Sequence, residues 1–158
     1  MRPGLIALAA LAAGSPVNAF GGSTAPERVT QRYDLECGGR TGSFAIEQRF
    51  DRAVPSYSVA IKDYTALGGS APGPAGTELA EAAAKMARID RVNWLCDGQT
   101  AKVSIEYLDR PTYDQAVKTD QRITDQPSRM RRTVLALDAD GLKVETAGTP
   151  IEAGSPRR

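Results

Sequence analysis

The sequence predicts an α+β domain, an antiparallel sheet of about seven strands with one helix between the third and fourth strands. Three observations carry that prediction. Much of the chain between residues 28 and 146 falls into short segments that alternate apolar and polar residues, the period of a half-buried strand. Asp97-Gly98 and Asp140-Gly141 stand between such segments, and Asp-Gly supplies the positive φ that a two-residue hairpin turn needs. One stretch, residues 78–89, has helical spacing instead. A small β-sandwich or barrel with one helix fits the same pattern and is the alternative.

The first strand, residues 28–37, puts Val29, Tyr33, Leu35 and Cys37 on one face and Thr30, Arg32, Asp34 and Glu36 on the other. Residues 41–50 alternate in the same way, with Phe44, Ile46 and Phe50 on one face. A four-residue turn over residues 38–41 makes these a hairpin in which Leu35 opposes Phe44, Tyr33 opposes Ile46 and Val29 opposes Phe50. Arg32 then opposes Glu47 outside. Residues 56–64 form the third strand, through Tyr57, Val59 and Ile61, and the Gly/Ala/Pro-rich residues 66–76 form a loop.

Thr77 is the expected N-cap of the helix. Glu78 and Glu81 lie near its start and Lys85 and Arg88 near its end, as the helix dipole prefers, with Leu79, Ala83 and Met86 on one face. Asp97-Gly98 next centres a hairpin that sets Cys96 against Gln99, Trp94 against Ala101 and Val92 against Val103, with Trp94 on the inward face. Asp140-Gly141 centres the last hairpin, with Leu137 opposite Val144 and Asp138 opposite Lys143. Residues 110–132 are long, polar and poor in aliphatic side chains, and they read as an extended or disordered loop.

The chain ends have their own pattern. Met1 and Arg2 precede an apolar run over residues 5–13; Gly14, Ser15 and Pro16 break it, and Val17-Asn18-Ala19 offers small residues at a cleavage site. This is the order of a secretory signal peptide over residues 1–19. The run is too short to cross a bilayer, which takes about 20 residues. The expected organisation is that leader, an N-terminal lead over 20–27, one disulfide-stapled domain over 28–147, and a flexible polar tail over 148–158. The protein is therefore expected to be exported, periplasmic or secreted, with no membrane span in the mature chain. Cys37 and Cys96 are the only cysteines, and in an oxidising compartment they are expected to pair. Each ends a strand just before a turn, so the bond would staple the first hairpin to the later one. Closing a loop of about 60 residues stabilises a fold by about 4 kcal/mol in the chain-entropy model.

The chemistry is narrowed mainly by what is missing. There is no histidine, which removes the commonest general base and metal ligand and every Ser-His or Cys-His pair. A formal charge of +1 gives no field that would draw the chain to nucleic acid. No SxxK, GxSxG or P-loop motif occurs. No catalytic residue, metal or cofactor is expected, and nothing in the sequence fixes an oligomeric state. Asp34, Glu36 and Glu47 share the outer face of the first hairpin, interleaved with Arg32 and Arg49, as on an ordinary solvated sheet face. Asp138-Ala139-Asp140-Gly141 with Glu145 lacks the spacing of a calcium loop and is accounted for by the hairpin turn.

The candidate binding surface is built from Arg110, Tyr113, Arg129, Arg131 and Arg132 in the long polar segment, where an arginine cluster suits a carboxylate or phosphate. The loop at residues 70–76 is a second candidate. The expected function is a small exported non-catalytic domain that binds a protein or a cell-envelope component. One alternative is a carboxylate-based hydrolase acting on glycans, which needs two carboxyl groups about 5 to 10 Å apart across a cleft. Another is a carrier of an apolar small molecule, which needs a closed sheet around an unfilled apolar interior.

Tyr33-x-x-x-Cys37-x-Gly39 followed by Phe44 resembles the opening of the periplasmic C-type lysozyme inhibitors, which are small disulfide-bonded β proteins. The resemblance is confined to the first hairpin. The Ser-Gly-containing loop that such inhibitors insert into lysozyme has no counterpart in this chain, and the helix over residues 78–89 departs from their pattern.

Overall fold

The computed structural model describes residues 27–51, 56–119 and 129–151. The leader, most of the N-terminal lead and residues 152–158 of the tail lie outside them. In chain order the elements are β1 (Glu27–Cys37), β2 (Arg40–Asp51), β3 (Ser56–Thr65), β4 (Gly73–Pro74), α1 (Thr77–Ala84), β5 (Met86–Asp97), β6 (Thr100–Asp109), α2 (Arg110–Lys118), β7 (Met130–Asp138) and β8 (Gly141–Pro150). They make two four-stranded antiparallel sheets, ordered β1-β2-β3-β4 and β5-β6-β7-β8. The expected single sheet of seven strands with one helix is thus corrected to two sheets and two helices. The physical reason is that each sheet carries its apolar residues on one face, and the two faces bury each other.

One core spans both layers. β1 and β2 contribute Leu35, Cys37, Phe44 and Ile46, and β3 adds Val59 and Ile61. Alternate residues of β6, Ala101, Val103, Ile105 and Tyr107, face them with Leu135 and Leu137 of β7 and Leu142 of β8. Leu79 and Ala83 of α1 join the same cluster. Gly42 marks how closely the layers approach: a Cβ there would lie 2.8 Å from the Thr65 carbonyl oxygen and 3.0 Å from Leu137. The deepest polar group is satisfied, since Thr133 shares a 3.1 Å hydrogen bond with the Tyr107 hydroxyl and accepts one from the Gly148 N–H.

The hairpins form where the sequence places them, but their registers slip by two residues. In the first, Gly38 and Gly39 have φ of +59° and +71° and are the whole turn. Cys37 therefore pairs with Arg40, Leu35 with Gly42 and Tyr33 with Phe44. A Gly-Gly pair reaches the left-handed region without steric cost, so a two-residue loop replaces the expected four-residue one. In the β5–β6 hairpin Asp97 pairs with Thr100, Trp94 with Val103 and Val92 with Ile105, which centres the turn on Gly98-Gln99. In the β7–β8 hairpin Leu137 pairs with Leu142 and Asp138 with Gly141. The Asp138 carboxylate there accepts from the Asp140 and Gly141 N–H groups and draws the turn forward. A two-residue slip keeps every side chain on its face, so the core survives the change of partners.

The helix ends earlier than its spacing predicts. α1 stops at Ala84, and Met86 already pairs with Asp109 across the second sheet. Met86 and Ala87 are fully buried, and ladder pairing of the segment outweighs five more residues of helix. Gly76, not Thr77, holds the N-cap position and makes no side-chain cap. The expected loop over residues 110–132 begins with a helix, α2, capped by the Asp109 carboxylate accepting from the Thr112 N–H, with Pro111 in its first turn. β8 also takes in Gly148–Pro150, which the sequence assigns to the tail.

Cys37 and Cys96 are bonded, with Cα atoms 5.3 Å apart, and tie the turn-side ends of β1 and β5 together. The bond crosses from one sheet to the other. Reduction should therefore cost the fold about 4 kcal/mol, the loop-closure value for 60 residues, read as a lower urea midpoint in the presence of reductant. An unchanged midpoint would show that the core alone holds the two sheets.

Candidate functional site

The disulfide end of the molecule carries a groove of about 630 Å³, lined by Asp34, Leu35 and Glu36 of β1, Thr41, Gly42 and Ser43 of β2, Thr65, Gly69 and Trp94 of β5. Its position follows from the sheet registers. Asp34 lies opposite Ser43, Glu36 opposite Thr41, and Ser43 opposite Thr65, so carboxylates and hydroxyls form adjoining rows on one face of the first sheet. Gly69 is held there by a short turn, in which Gly68 donates to the Thr41 carbonyl and Leu67 to that of Asp138. The disulfide brings β5 alongside, which is how Trp94 reaches a groove otherwise built from the first sheet.

Trp94 departs most from expectation. Its parity is inward, yet it is 42% exposed, and its neighbour Leu95 is 59% exposed. β5 is an edge strand with a neighbour on one side only, so inward parity there does not mean burial. Cys96 is exposed for the same reason, whereas Cys37 is buried.

The charges around the groove are unevenly partnered. Arg32 crosses the sheet to donate to the Ser43 hydroxyl at 3.0 Å and to the Asp63 carboxylate at 2.8 Å. Arg28 lies 3.5 Å from Glu47. Asp97 is engaged by Lys102, whose ammonium is held above its ordinary pKa by the hydrogen bonds it donates to the Glu145 and Asp97 carboxylates. Asp34 and Glu36 have no ion pair or side-chain hydrogen bond among the described residues. Tyr33, stacked on Phe44 with ring centroids 4.9 Å apart, has its pKa pushed up by burial.

The residues singled out from the sequence lie elsewhere and are not gathered into one surface. Arg110 opens α2 and spends its donors on carbonyl oxygens: Nε to Ala84, and Nη2 to Tyr57 at 2.6 Å and to Met86 at 3.1 Å. Its backbone N–H donates to Lys85, so this one residue caps the end of α1 and ties it to β3 and β5. Tyr113 is buried, edge-on to Tyr57, in a second small cluster with Ala87, Leu108 and Met130. Burial is the first cause that raises its pKa, followed by the neighbouring Tyr57 and Asp114. Arg129 is half-buried just before β7. Arg131 and Arg132 are adjacent along β7 and point to opposite faces. Arg131 lies 3.5 Å from Asp109 and Arg132 2.7 Å from Glu106. Of the second candidate loop, Ser70 is exposed beside the groove-lining Gly69, and Gly73–Pro74 forms the short strand β4.

The groove was not found from the sequence. Its one readable signal was the row Asp34–Glu36 beside a Gly-Gly turn, which alone looks like any solvated sheet face. Among the described residues no group of three or more histidine, cysteine, aspartate or glutamate side chains is placed to hold a metal. No protein family matches the chain, and neither a curated protein nor a solved structure matches it.

Arg110 supplies a direct check of this assignment of roles. Replacing it by alanine strips three carbonyl oxygens of a charged donor and should lower stability by about 2 to 3 kcal/mol in urea titration. A change below about 0.5 kcal/mol, the scale of an ordinary surface substitution, would return Arg110 to the pool of free surface cations.

Proposed function

We propose that this chain is an exported, non-catalytic binding module, and that it engages a protein or cell-envelope component through the groove at its disulfide end. The observation that carries the reading is Trp94, a large aromatic side chain held 42% exposed at the groove wall by a covalent crosslink. Exposed aromatics held on a rigid frame are the residues that anchor interfaces. Two uncommitted carboxylates and three hydroxyl side chains beside it supply polar contacts that orient a ligand. Export is supported by the leader pattern of residues 1–19, and a disulfide is consistent with an oxidising compartment. No helix among the described residues is long and apolar enough to cross a membrane.

The groove is favoured over the arginine segment because Arg110, Arg131 and Arg132 are already committed to partners within the fold. The hydrolase reading draws little from the groove. Asp34 and Glu36 stand side by side on one strand face and do not confront each other across a cleft. The carrier reading draws little from the interior, where side chains of both sheets and α1 meet in one buried cluster.

Trp94 is the only tryptophan, so its emission reports on the groove without labelling. Titrating the oxidised protein with envelope protein, glycan and lipid fractions should shift that emission for the class that binds. Trp94→Ala should then weaken retention of that class by about thirtyfold, the cost of losing one aromatic anchor. Retention that survives the substitution and disappears with Arg129→Ala/Arg131→Ala/Arg132→Ala would relocate the site to β7.

A further inference from the structure

Resting on the groove as the binding site, we infer that its occupant is an extended, lysine- or arginine-bearing segment of a partner protein that adds to the first sheet as a strand beside β1. β1 is eleven residues long and lies at the edge of its sheet, paired only with β2. Cys37 and Arg40 close a two-residue loop and form a hydrogen-bonded pair, so the odd-numbered residues of β1 bond to β2. The backbone N–H and C=O groups of Arg32, Asp34 and Glu36 point the other way. No further backbone hydrogen bond among the described residues takes them.

The groove reaches this edge strand: Asp34, Leu35 and Glu36 of β1 line it together with Thr41, Gly42 and Ser43 of β2 and Thr65 of β3, so it runs from β1 inward over the neighbouring strands, with the free backbone of β1 on its outer side. An incoming strand would find main-chain donors and acceptors there, which is how sheet edges recruit extended peptides.

Charge selects the sign of that strand. Arg28 and Arg32 are already paired with Glu47 and Asp63, whereas Asp34 and Glu36 form no ion pair among the described residues. Side chains opposite them on an added strand would be next to two uncompensated carboxylates, which favours lysine or arginine at alternate positions. Trp94 lines the same groove, 42% exposed, and an aromatic ring there would attract such a cation or the stem that carries it.

The test uses the oxidised protein and three synthetic peptides: an alternating lysine–valine heptamer, its glutamate–valine analogue, and the lysine peptide N-methylated on alternate backbone nitrogens. Trp94 emission and amide hydrogen exchange at Asp34 and Glu36 are read together. The lysine peptide should shift the emission and slow exchange at both amides, and neither control should do so. Asp34→Asn/Glu36→Gln should weaken its binding about tenfold at low salt, with the difference shrinking as salt is added.

An emission shift without amide protection, or equal binding of the N-methylated peptide, overturns strand addition and leaves the groove as the site. Silence towards the lysine peptide, with a shift caused by a glycan or lipid fraction, overturns the basic partner and again leaves the groove. Silence towards every probe overturns both readings. Protection at Asp34 and Glu36 that rises with protein concentration alone would assign the edge to a second copy of this chain and overturn the proposal.

Discussion

Cys37 ends β1 and Cys96 is the last residue but one of β5, so the one covalent crosslink of this molecule joins the turn-side ends of two edge strands that belong to different sheets. Each sheet is a simple meander and buries its apolar residues against the other layer and the helices. The relative placement of the layers rests on non-directional burial plus that bond. The bond also fixes a local geometry that burial alone would leave free. The turn at Gly38-Gly39 meets the turn at Gly98-Gln99 so closely that a Cβ on Gly38 would lie 2.8 Å from the Gln99 side chain. With the two turns locked side by side, Trp94 near the end of β5 becomes part of the first sheet's groove.

Much of this was legible in the sequence, and the limits have specific physical causes. Alternation located the strands, the cysteines announced their bond, and Tyr107 and the other inward residues of β6 are buried as their parity predicts. Registers were missed by two residues because alternation fixes only which face a residue takes. The partner depends on turn chemistry that Asp-Gly pairs set only to within a residue. The end of α1 was missed because Met86 and Ala87 suit a helix face and a buried strand equally well. The second sheet settles the matter through pairing with β6, a contact distant in sequence. α2 was signalled by Asp109 followed by Pro111, an N-cap and first-turn pair hidden inside a segment judged by its polar composition.

The candidate site was less legible than the fold. Cations clustered along a sequence are conspicuous, yet adjacent residues of a strand face opposite ways, so Arg131 and Arg132 part company and each finds a carboxylate. The groove draws on four separate stretches of chain, which no local pattern brings together. What sets it apart is a pattern of partners. Across the described surface most carboxylates near a sheet face have a cation within reach, and Asp34 and Glu36 do not. Surface ion pairs contribute little to stability, so this imbalance bears on recognition far more than on folding.

The central claim is that the disulfide holds Trp94 against the acidic edge of β1, and collisional quenching of that single indole tests it directly. In the oxidised protein a caesium cation should quench Trp94 more efficiently than iodide, because Asp34 and Glu36 concentrate cations around the ring. After reduction, with the far-ultraviolet signature of the sheets retained, the preference for caesium should fall away as the end of β5 leaves β1. Equal quenching by the two ions in the oxidised protein, or a caesium preference unchanged by reduction, would contradict the account.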